Sequence, residues 1–200
     1  MDKQIVDMFR EYLSTEVSPD ELDAHKDRVI VRIAASPHRE LTATVIAGYL
    51  ALRDQNVPRD KALACVSKAF HEPTQPYIYA STKTALDAAT DPFSLIVEVS
   101  KDREENYFGP DFEFKRAVDN DDQYRVDVHR CFYVNALSKA GTPELGPVFC
   151  DFDASWIGAI DPERHHITFD RPTTIAKGGR TCPFHFRRIR NPRGPHDSRP

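Results

Sequence analysis

The spacing of hydrophobic residues changes once along this chain, and that change constrains the fold more than any other feature. Up to about residue 106, apolar side chains recur every three or four positions, as Ile5, Phe9 and Leu13 do, which is the repeat of an α-helix facing a core. From Phe112 onward they recur at every second position, which is the repeat of a β-strand with one buried face. Helices followed by strands predict an α+β fold with an antiparallel sheet.

The helical half contains recognisable boundaries. The segment Ser18-Pro19-Asp20-Glu21 is typical of a helix start, because serine caps free amides, proline fits the first turn and acids favour the N-terminal end. We predict helices over residues 1–16, 19–36, 41–54, 59–70, 77–89 and 92–106.

Four strands are predicted in two hairpins. Residues 112–118 and 124–128 flank the turn Asp119-Asn120-Asp121-Asp122, and residues 167–169 and 182–186 flank a turn at Lys177-Gly178-Gly179-Arg180. Two helical segments, 131–139 and 144–156, are predicted between the hairpins.

The chain is predicted to form one domain. Its 200 residues are 40% hydrophobic, which suffices for a single core. We expect one α+β domain over residues 1–190, with a helical part at 1–106 and a sheet part at 107–190 that carries the site. Residues 191–200 are expected to be a frayed basic tail.

Composition restricts the partners. A formal net charge of −4 gives no sign of a nucleic-acid partner, and no run of 18 apolar residues predicts a membrane span. The first residues lack the pattern of a secretory signal, so we expect a cytoplasmic protein whose four cysteines are thiols rather than disulfides. The expected partner is a small-molecule substrate, and the oligomeric state stays open, a homo-oligomer included.

Three of the four cysteines, Cys131, Cys150 and Cys182, fall in the C-terminal half. If residues 144–156 are helical, Cys150 and Asp153 share a face, because residues three apart are neighbours on a helix. A thiol beside a carboxylate can be part of a metal site, or a nucleophile with an orienting group. Strand alternation turns Cys182 toward the core.

The two histidines of the strands are predicted on the opposite side. His185 points away from the face that Cys182 occupies, and His129 points away from the core unless that face is covered.

Structural interpretations compete with these functional ones. A single core cysteine is more often a small hydrophobic residue than a nucleophile, and we interpret Cys65 in that way. Phe149, Phe152 and Trp156 are predicted to be core residues rather than a ligand platform. Neither CxxC nor HxxxH spacing occurs, so the metal signal is weak.

Two C-terminal segments resemble a known family. They are RCFYVNALSKAGTPELGPVFCDFD, residues 130–153, and ITFDRPTTIAKGGRTCPFHF, residues 167–186. Their cysteine-aromatic start, Gly-x-Pro-Glu-Leu segment, Cys-x-x-Asp step and closing Cys-x-Phe-x-Phe resemble the L-2-amino-thiazoline-4-carboxylic acid hydrolase-like family. A more distant similarity is to vinyl-reductase-like small-molecule-binding domains, some of which hold zinc. The chain departs from the family pattern at Pro172, Pro183 and His185.

The resemblance implies hydrolytic ring opening at an amidine-like carbon, as in secondary metabolism. It makes Cys150 the first candidate nucleophile and Cys182 the second, with Asp153 binding an amidinium or transferring protons. The candidate catalytic set also contains Cys131 and the proton shuttle His129, and the candidate substrate-binding set is Arg130, Arg171 and Tyr133.

Two alternatives stay open beside the hydrolase. One is a non-catalytic domain that binds a small apolar molecule. The other is a structural metal site. No cofactor is predicted for the hydrolase itself, whereas the metal site would hold zinc or iron through Cys131, Glu144, Cys150 and Cys182.

Overall fold

A computed structural model describes residues 2–190 and confirms the α+β fold. The N-terminal half is helical: α1 (Asp2–Leu13), α2 (Pro19–Ile30), α3 (Arg39–Asp54), α4 (Arg59–His71), α5 (Gln75–Ala88) and α6 (Pro92–Asp102). The C-terminal half contains β1 (Glu113–Asp119), β2 (Gln123–Arg130), β3 (Ile167–Asp170) and β4 (Cys182–Arg188), with four helices between β2 and β3: α7 (Phe132–Ala140), α8 (Gly146–Asp151), α9 (Ala154–Ile157) and α10 (Pro162–His165). The predicted tail at 191–200 lies outside the described residues.

The helix starts follow the capping signals. The Ser18 hydroxyl accepts a hydrogen bond from the Glu21 amide at 3.3 Å, and Pro19 is the first residue of α2. Asp91 caps α6 in the same way, through the Ser94 amide at 3.2 Å. None of the helices within the described range is long and apolar enough to cross a membrane.

A π-helix continues α6 over Arg103–Phe108. A short 3-10 turn, Gly109–Asp111, then leads into the sheet. Gly109 adopts φ +58°, a conformation that glycine reaches without steric cost. The wider π turn therefore ends at a glycine that redirects the chain toward β1.

The four strands form one antiparallel sheet in the order β1-β2-β4-β3. On β4, Cys182 and Phe186 are buried, whereas His185 faces the other side and hydrogen-bonds to Asp127 at 2.9 Å. The predicted orientation of this strand is thus confirmed.

Three local predictions were wrong. The second helix ends at Ile30 rather than near residue 36, and residues 31–36 form turns and irregular structure. Residues 144–156 are not one helix but a 3-10 turn, Pro143–Leu145, followed by α8 and α9. Pro147 lacks the amide hydrogen that would bond to the Pro143 carbonyl in a continuous helix, which accounts for the break before α8. The connection between β3 and β4 is not a tight turn at 177–180. It runs over residues 171–181 and contains a 3-10 turn, Ile175–Lys177.

The apolar side chains form two clusters. The helical core joins α1 to α4 with α7 and α8, and the sheet core joins α6, α9 and the inner face of the sheet. Phe114 and Phe184 contact both clusters. The boundary between the two clusters therefore lies along the inner face of the sheet.

Candidate functional site

A cavity of about 370 Å³ lies between the helices and the inner face of the sheet. Its volume falls in the range of small-molecule sites, which are mostly apolar with a few polar groups. The apolar walls come from both cores and include Phe70, Phe112, Phe149, Trp156 and Phe184. The cavity is therefore suited to a compact, largely hydrophobic molecule.

The outer wall is formed by α5 and α6. Ser81, Ala85 and Val99 line the cavity and are also exposed to solvent. The cavity consequently opens between these two helices.

One part of the wall is polar, and we call Cys150, Asp153, Arg171 and Cys182 the polar corner. The Arg171 guanidinium forms an ion pair with Asp153 at 2.9 Å and donates to the Cys150 carbonyl at 3.2 Å. The Trp156 indole N–H donates to the other Asp153 oxygen at 2.9 Å. Arg171 therefore connects the carboxylate to the segment that carries Cys150.

The position of Arg171 is fixed by packing as well as by charge. Its guanidinium carbon lies 4.4 Å from the centre of the Phe184 ring, a cation–π contact. Its Nε atom is buried and has no hydrogen-bond partner within the described residues. Arg171 is therefore a buried cation held in place by Asp153, the Cys150 carbonyl and the Phe184 ring.

The three cysteines reach the cavity from different elements. Cys131 precedes α7, Cys150 belongs to α8, and Cys182 begins β4, where its sulfur accepts a hydrogen bond from the Ile175 amide at 3.1 Å. All three line the cavity, whereas Cys65 lies on α4 outside it.

Burial governs the ionisation of these thiols. It raises the pKa of Cys131 to about 12. It also raises the pKa of Cys150 and of Cys182, although Arg171 and hydrogen bonds from Thr174 and the Ile175 amide oppose it. All three thiols are therefore protonated at neutral pH, and a thiolate forms only if its proton passes to an acceptor.

Asp153 is a candidate for that acceptor. Burial raises the pKa of its carboxyl, against the opposing effects of Arg171 and Trp156. A raised carboxyl pKa lies closer to neutrality, where general acid–base groups act best. The polar corner thus contains a thiol, a carboxylate and a cation.

Several predicted residues do not reach the cavity. His129 and Arg130 are exposed at the end of β2, and Arg130 donates to the Pro110 carbonyl at 3.0 Å. Strand alternation turns His129 outward, and Arg130 is directed to the Pro110 carbonyl. Their positions therefore do not support the predicted roles of His129 as a proton shuttle and of Arg130 as a substrate contact. Tyr133 and Arg171, in contrast, both line the cavity.

The proposed metal ligands are not brought together. Among residues 2–190, no group of three or more His, Cys, Asp or Glu side chains could hold a metal ion. Glu144 accepts a hydrogen bond from the Tyr49 hydroxyl at 2.8 Å and does not line the cavity.

Sequence reasoning missed part of the wall. Phe149 and Trp156 belong to the two cores, as predicted, and together with Phe152 they also line the cavity. The π-helix contributes Arg103, Glu104 and Tyr107, none of which the sequence indicated as site residues. Glu104 is already paired, since it accepts from Arg116 at 2.8 Å and from the Tyr124 hydroxyl. A charged pair, Arg103-Glu104, at the end of an apolar helix was the signal available.

Comparisons with known proteins give one family match. The family model described as L-2-amino-thiazoline-4-carboxylic acid hydrolase matches residues 37–186, which include all three cavity cysteines. No curated protein matches the sequence. One solved structure, the Fe(II) unliganded H-NOX protein from K. algicida, matches over 97% of this chain and 100% of that chain, with 12% identity and a TM-score of 0.34. A score of that size carries no argument about function.

Proposed function

Because this chain belongs to the L-2-amino-thiazoline-4-carboxylic acid hydrolase family, we propose that it is a hydrolase whose substrate occupies the cavity between the helices and the sheet. One observation carries the proposal: Cys150, Cys182, Asp153 and Arg171 all lie at one part of a cavity that is otherwise mostly apolar. Opening a cyclic amidine requires a nucleophile and a group that carries a proton to the departing nitrogen, and a nearby cation favours the thiolate form of the nucleophile.

The walls narrow the class of substrate. Apolar surface gains roughly 25 cal/mol for each Å² removed from water, so the aromatic walls favour a hydrophobic body. The polar corner favours a single polar group, with an acceptor for Arg171 and a donor for Asp153. We therefore propose a substrate that is more hydrophobic than the amino acid derivative for which the family is named.

The reaction can be written on this chain's own residues. The substrate reacts as its amidinium, whose ring nitrogen already carries one proton. Asp153 accepts the proton of the Cys150 thiol, and the sulfur bonds to the amidinium carbon while the C=N electron pair moves to the ring nitrogen. The ring C–N bond breaks, and the departing nitrogen takes the proton from Asp153 and leaves as an amine. Water then adds to the same carbon and the new carbon–sulfur bond breaks; one proton of the water returns to the Cys150 sulfur and the other passes through Asp153 to the amine. Arg171 stabilises the Cys150 thiolate as it forms and as it leaves.

A second candidate is a domain that binds a small molecule without changing it. The observation in its favour is the raised pKa of Cys131, Cys150 and Cys182, because a protonated thiol is a poor nucleophile. Catalysis requires that substrate binding favour the thiolate over the protonated thiol. Binding without reaction has no such requirement.

The test compares variants on a short series of 2-amino-thiazolines. The series begins with L-2-amino-thiazoline-4-carboxylic acid and continues with analogues that bear larger apolar substituents at carbon 4. Mass spectrometry detects ring opening as the gain of one water. We expect Cys150→Ala and Asp153→Asn to lower kcat/KM by at least about a hundredfold, the usual size of such contributions, with little change in Tm.

Cys65→Ala is the matched control, because that thiol is half-buried but outside the cavity. It should retain full activity. Full activity in both Cys150→Ala and Asp153→Asn would contradict the hydrolase site. Tight binding of an analogue by the unmodified protein without turnover of any member of the series would favour the second candidate.

A further inference from the structure

The charged side chains of the cavity wall do not balance one another. They are Arg103, Glu104, Asp153 and Arg171. Arg171 pairs with Asp153 at 2.9 Å, and Glu104 pairs at 2.8 Å with Arg116, which does not line the cavity. Within residues 2–190, Arg103 is thus the one charge of the wall that has no partner of opposite sign.

The acidic neighbours of Arg103 in the sequence are engaged elsewhere. The Asp102 carboxylate accepts a hydrogen bond from the Asn106 side chain at 2.7 Å, and Glu105 accepts one from Arg116 at 3.0 Å. In the part of the chain that the structure describes, the Arg103 guanidinium itself forms neither a hydrogen bond nor an ion pair. Its donors are therefore available to a ligand.

Arg103 lies close to the opening of the cavity. It is the first residue of the π-helix, and its backbone amide donates to the Val99 carbonyl, one turn earlier. Val99 lines the cavity where it opens between α5 and α6. The Arg103 side chain lines the same cavity and is half-buried. A ligand that enters between the two helices therefore passes this guanidinium.

The charge of Arg103 acts on other residues of the wall. Burial raises the pKa of the Asp153 carboxyl, and the charge of Arg103 opposes this rise together with Arg171 and Trp156. Burial also raises the pKa of the Tyr107 hydroxyl, and Arg103 again acts in the opposite direction. The guanidinium thus lies near the polar corner without contacting it.

A structural role accounts for the methylene chain of Arg103 but not for its head group. A long basic side chain can cover apolar surface with its stem while its charge stays in water. Here the side chain is half-buried at a cavity whose other charges are paired. A ligand carboxylate would supply the missing partner, because it accepts two parallel hydrogen bonds from a guanidinium.

We propose that Arg103 is a specificity-determining residue that binds a carboxylate of the substrate near the opening of the cavity. The inference rests on the proposed function, because it assumes that the substrate occupies the cavity. An amidinium at Asp153 adds a positive charge to a cavity that already holds an unpaired guanidinium, and a carboxylate on the same molecule balances it. Arg171 is less suited to this role, since Asp153 and the Cys150 carbonyl already occupy it.

The test uses indane-2-carboxylate and indane-2-carboxamide, two probes of nearly the same shape that differ in charge. Isothermal titration calorimetry at neutral pH gives their dissociation constants. The informative quantity is the ratio of the carboxamide constant to the carboxylate constant, because it removes effects common to both probes. We expect this ratio to exceed one in the unmodified protein.

Arg103→Met keeps an unbranched apolar stem and removes the charge. It should lower the ratio about tenfold, which corresponds to about 1.4 kcal/mol, and leave carboxamide binding nearly unchanged. Arg103→Lys should retain part of the ratio, because the charge remains but the paired hydrogen bonds are lost. Arg103→Gln replaces the methionine variant if that variant does not fold.

Arg32→Met is the matched control, since Arg32 is exposed, lies outside the cavity and changes the net charge by the same amount. Its ratio should equal that of the unmodified protein. A ratio lowered equally in both variants would show a general effect of charge and would overturn the assignment to Arg103.

An unchanged ratio in folded Arg103→Met would overturn the subsite and would mean that the carboxylate binds elsewhere. A ratio of one or less in the unmodified protein, or no binding of either probe, would overturn it without any variant. These results are distinct from failure of the hydrolase proposal, which is measured by ring opening and its dependence on Cys150 and Asp153.

Discussion

Helices α3 and α5 are of similar length but differ in how they use their side chains. In α3, residues 41–49 are all buried, together with Ala51 and Leu52. In α5, Leu86 alone is buried within the described range 75–88. Ile78, Ser81, Thr82 and Ala85 of α5 line the cavity instead. Helix α3 thus mainly stabilises the fold, whereas α5 mainly forms a wall of the cavity.

This difference shows how the chain separates stability from binding. The buried side chains of α3 pack closely in the helical core and contribute hydrophobic free energy to folding there. The wall formed by α5 contributes little to that packing and can therefore adopt the shape that a ligand requires.

The largest expected difference follows from removing an isoleucine from each helix. Ile46→Ala in α3 leaves a void in a fully packed core and should lower the free energy of unfolding by about 3 kcal/mol. Ile78→Ala in α5 enlarges an existing cavity and should cost less than about 1 kcal/mol. Urea denaturation measures both. Equal losses would show that the two helices do not differ as described.

Enlarging an alanine in each helix is the converse test. Ala47→Leu should destabilise by about 2 kcal/mol, because the side chain is completely buried and nothing near it can yield. Ala85→Leu should leave the free energy of unfolding nearly unchanged, since the added atoms enter the cavity. It should instead weaken the binding of an apolar probe such as indane, measured through the fluorescence of Trp156, the single tryptophan of the chain and a wall residue. Unaltered binding would mean that this wall does not shape the site.

A third effect concerns pH. The Cys131 thiol ionises near pH 9 in the unfolded chain, but burial raises its pKa to about 12 in the folded protein. Its contribution to stability is complete below pH 9 and is lost as the pH rises toward 12. Cys131→Ala should therefore make the alkaline decline of the free energy of unfolding shallower. Denaturation at pH 8 and at pH 10.5 gives the change in the free energy of unfolding between these pH values. The same change in the variant and in the unmodified protein would exclude this contribution.

The fold was largely predictable because it follows from local patterns. Capping at Ser18, proline at the first helical positions and the alternation on β4 all act over a few residues. The failures were also local: α2 ended at Ile30, Pro147 separated a 3-10 turn from the rest of a predicted helix, and the connection at 171–181 was longer than a simple turn.

The candidate site was harder to predict, since it depends on which surfaces the fold leaves uncovered. The spacing of Cys150 and Asp153 indicated that they were neighbours, and both line the cavity. Nothing in the local pattern distinguishes Trp156 at a cavity wall from Trp156 in a closed core. Likewise, the contact between Tyr133 and His38 joins residues 95 positions apart.

The π-helix at Arg103–Phe108 has a consequence for how this chain can change in length. Successive residues of an α-helix are about 100° apart around the axis, and a π turn accommodates an additional residue. Loss of a single codon in this stretch would restore ordinary α geometry and rotate Tyr107 and Phe108 away from the positions they occupy. Such a deletion would remodel the ligand space, because Arg103, Glu104, Tyr107 and Phe108 all line the cavity.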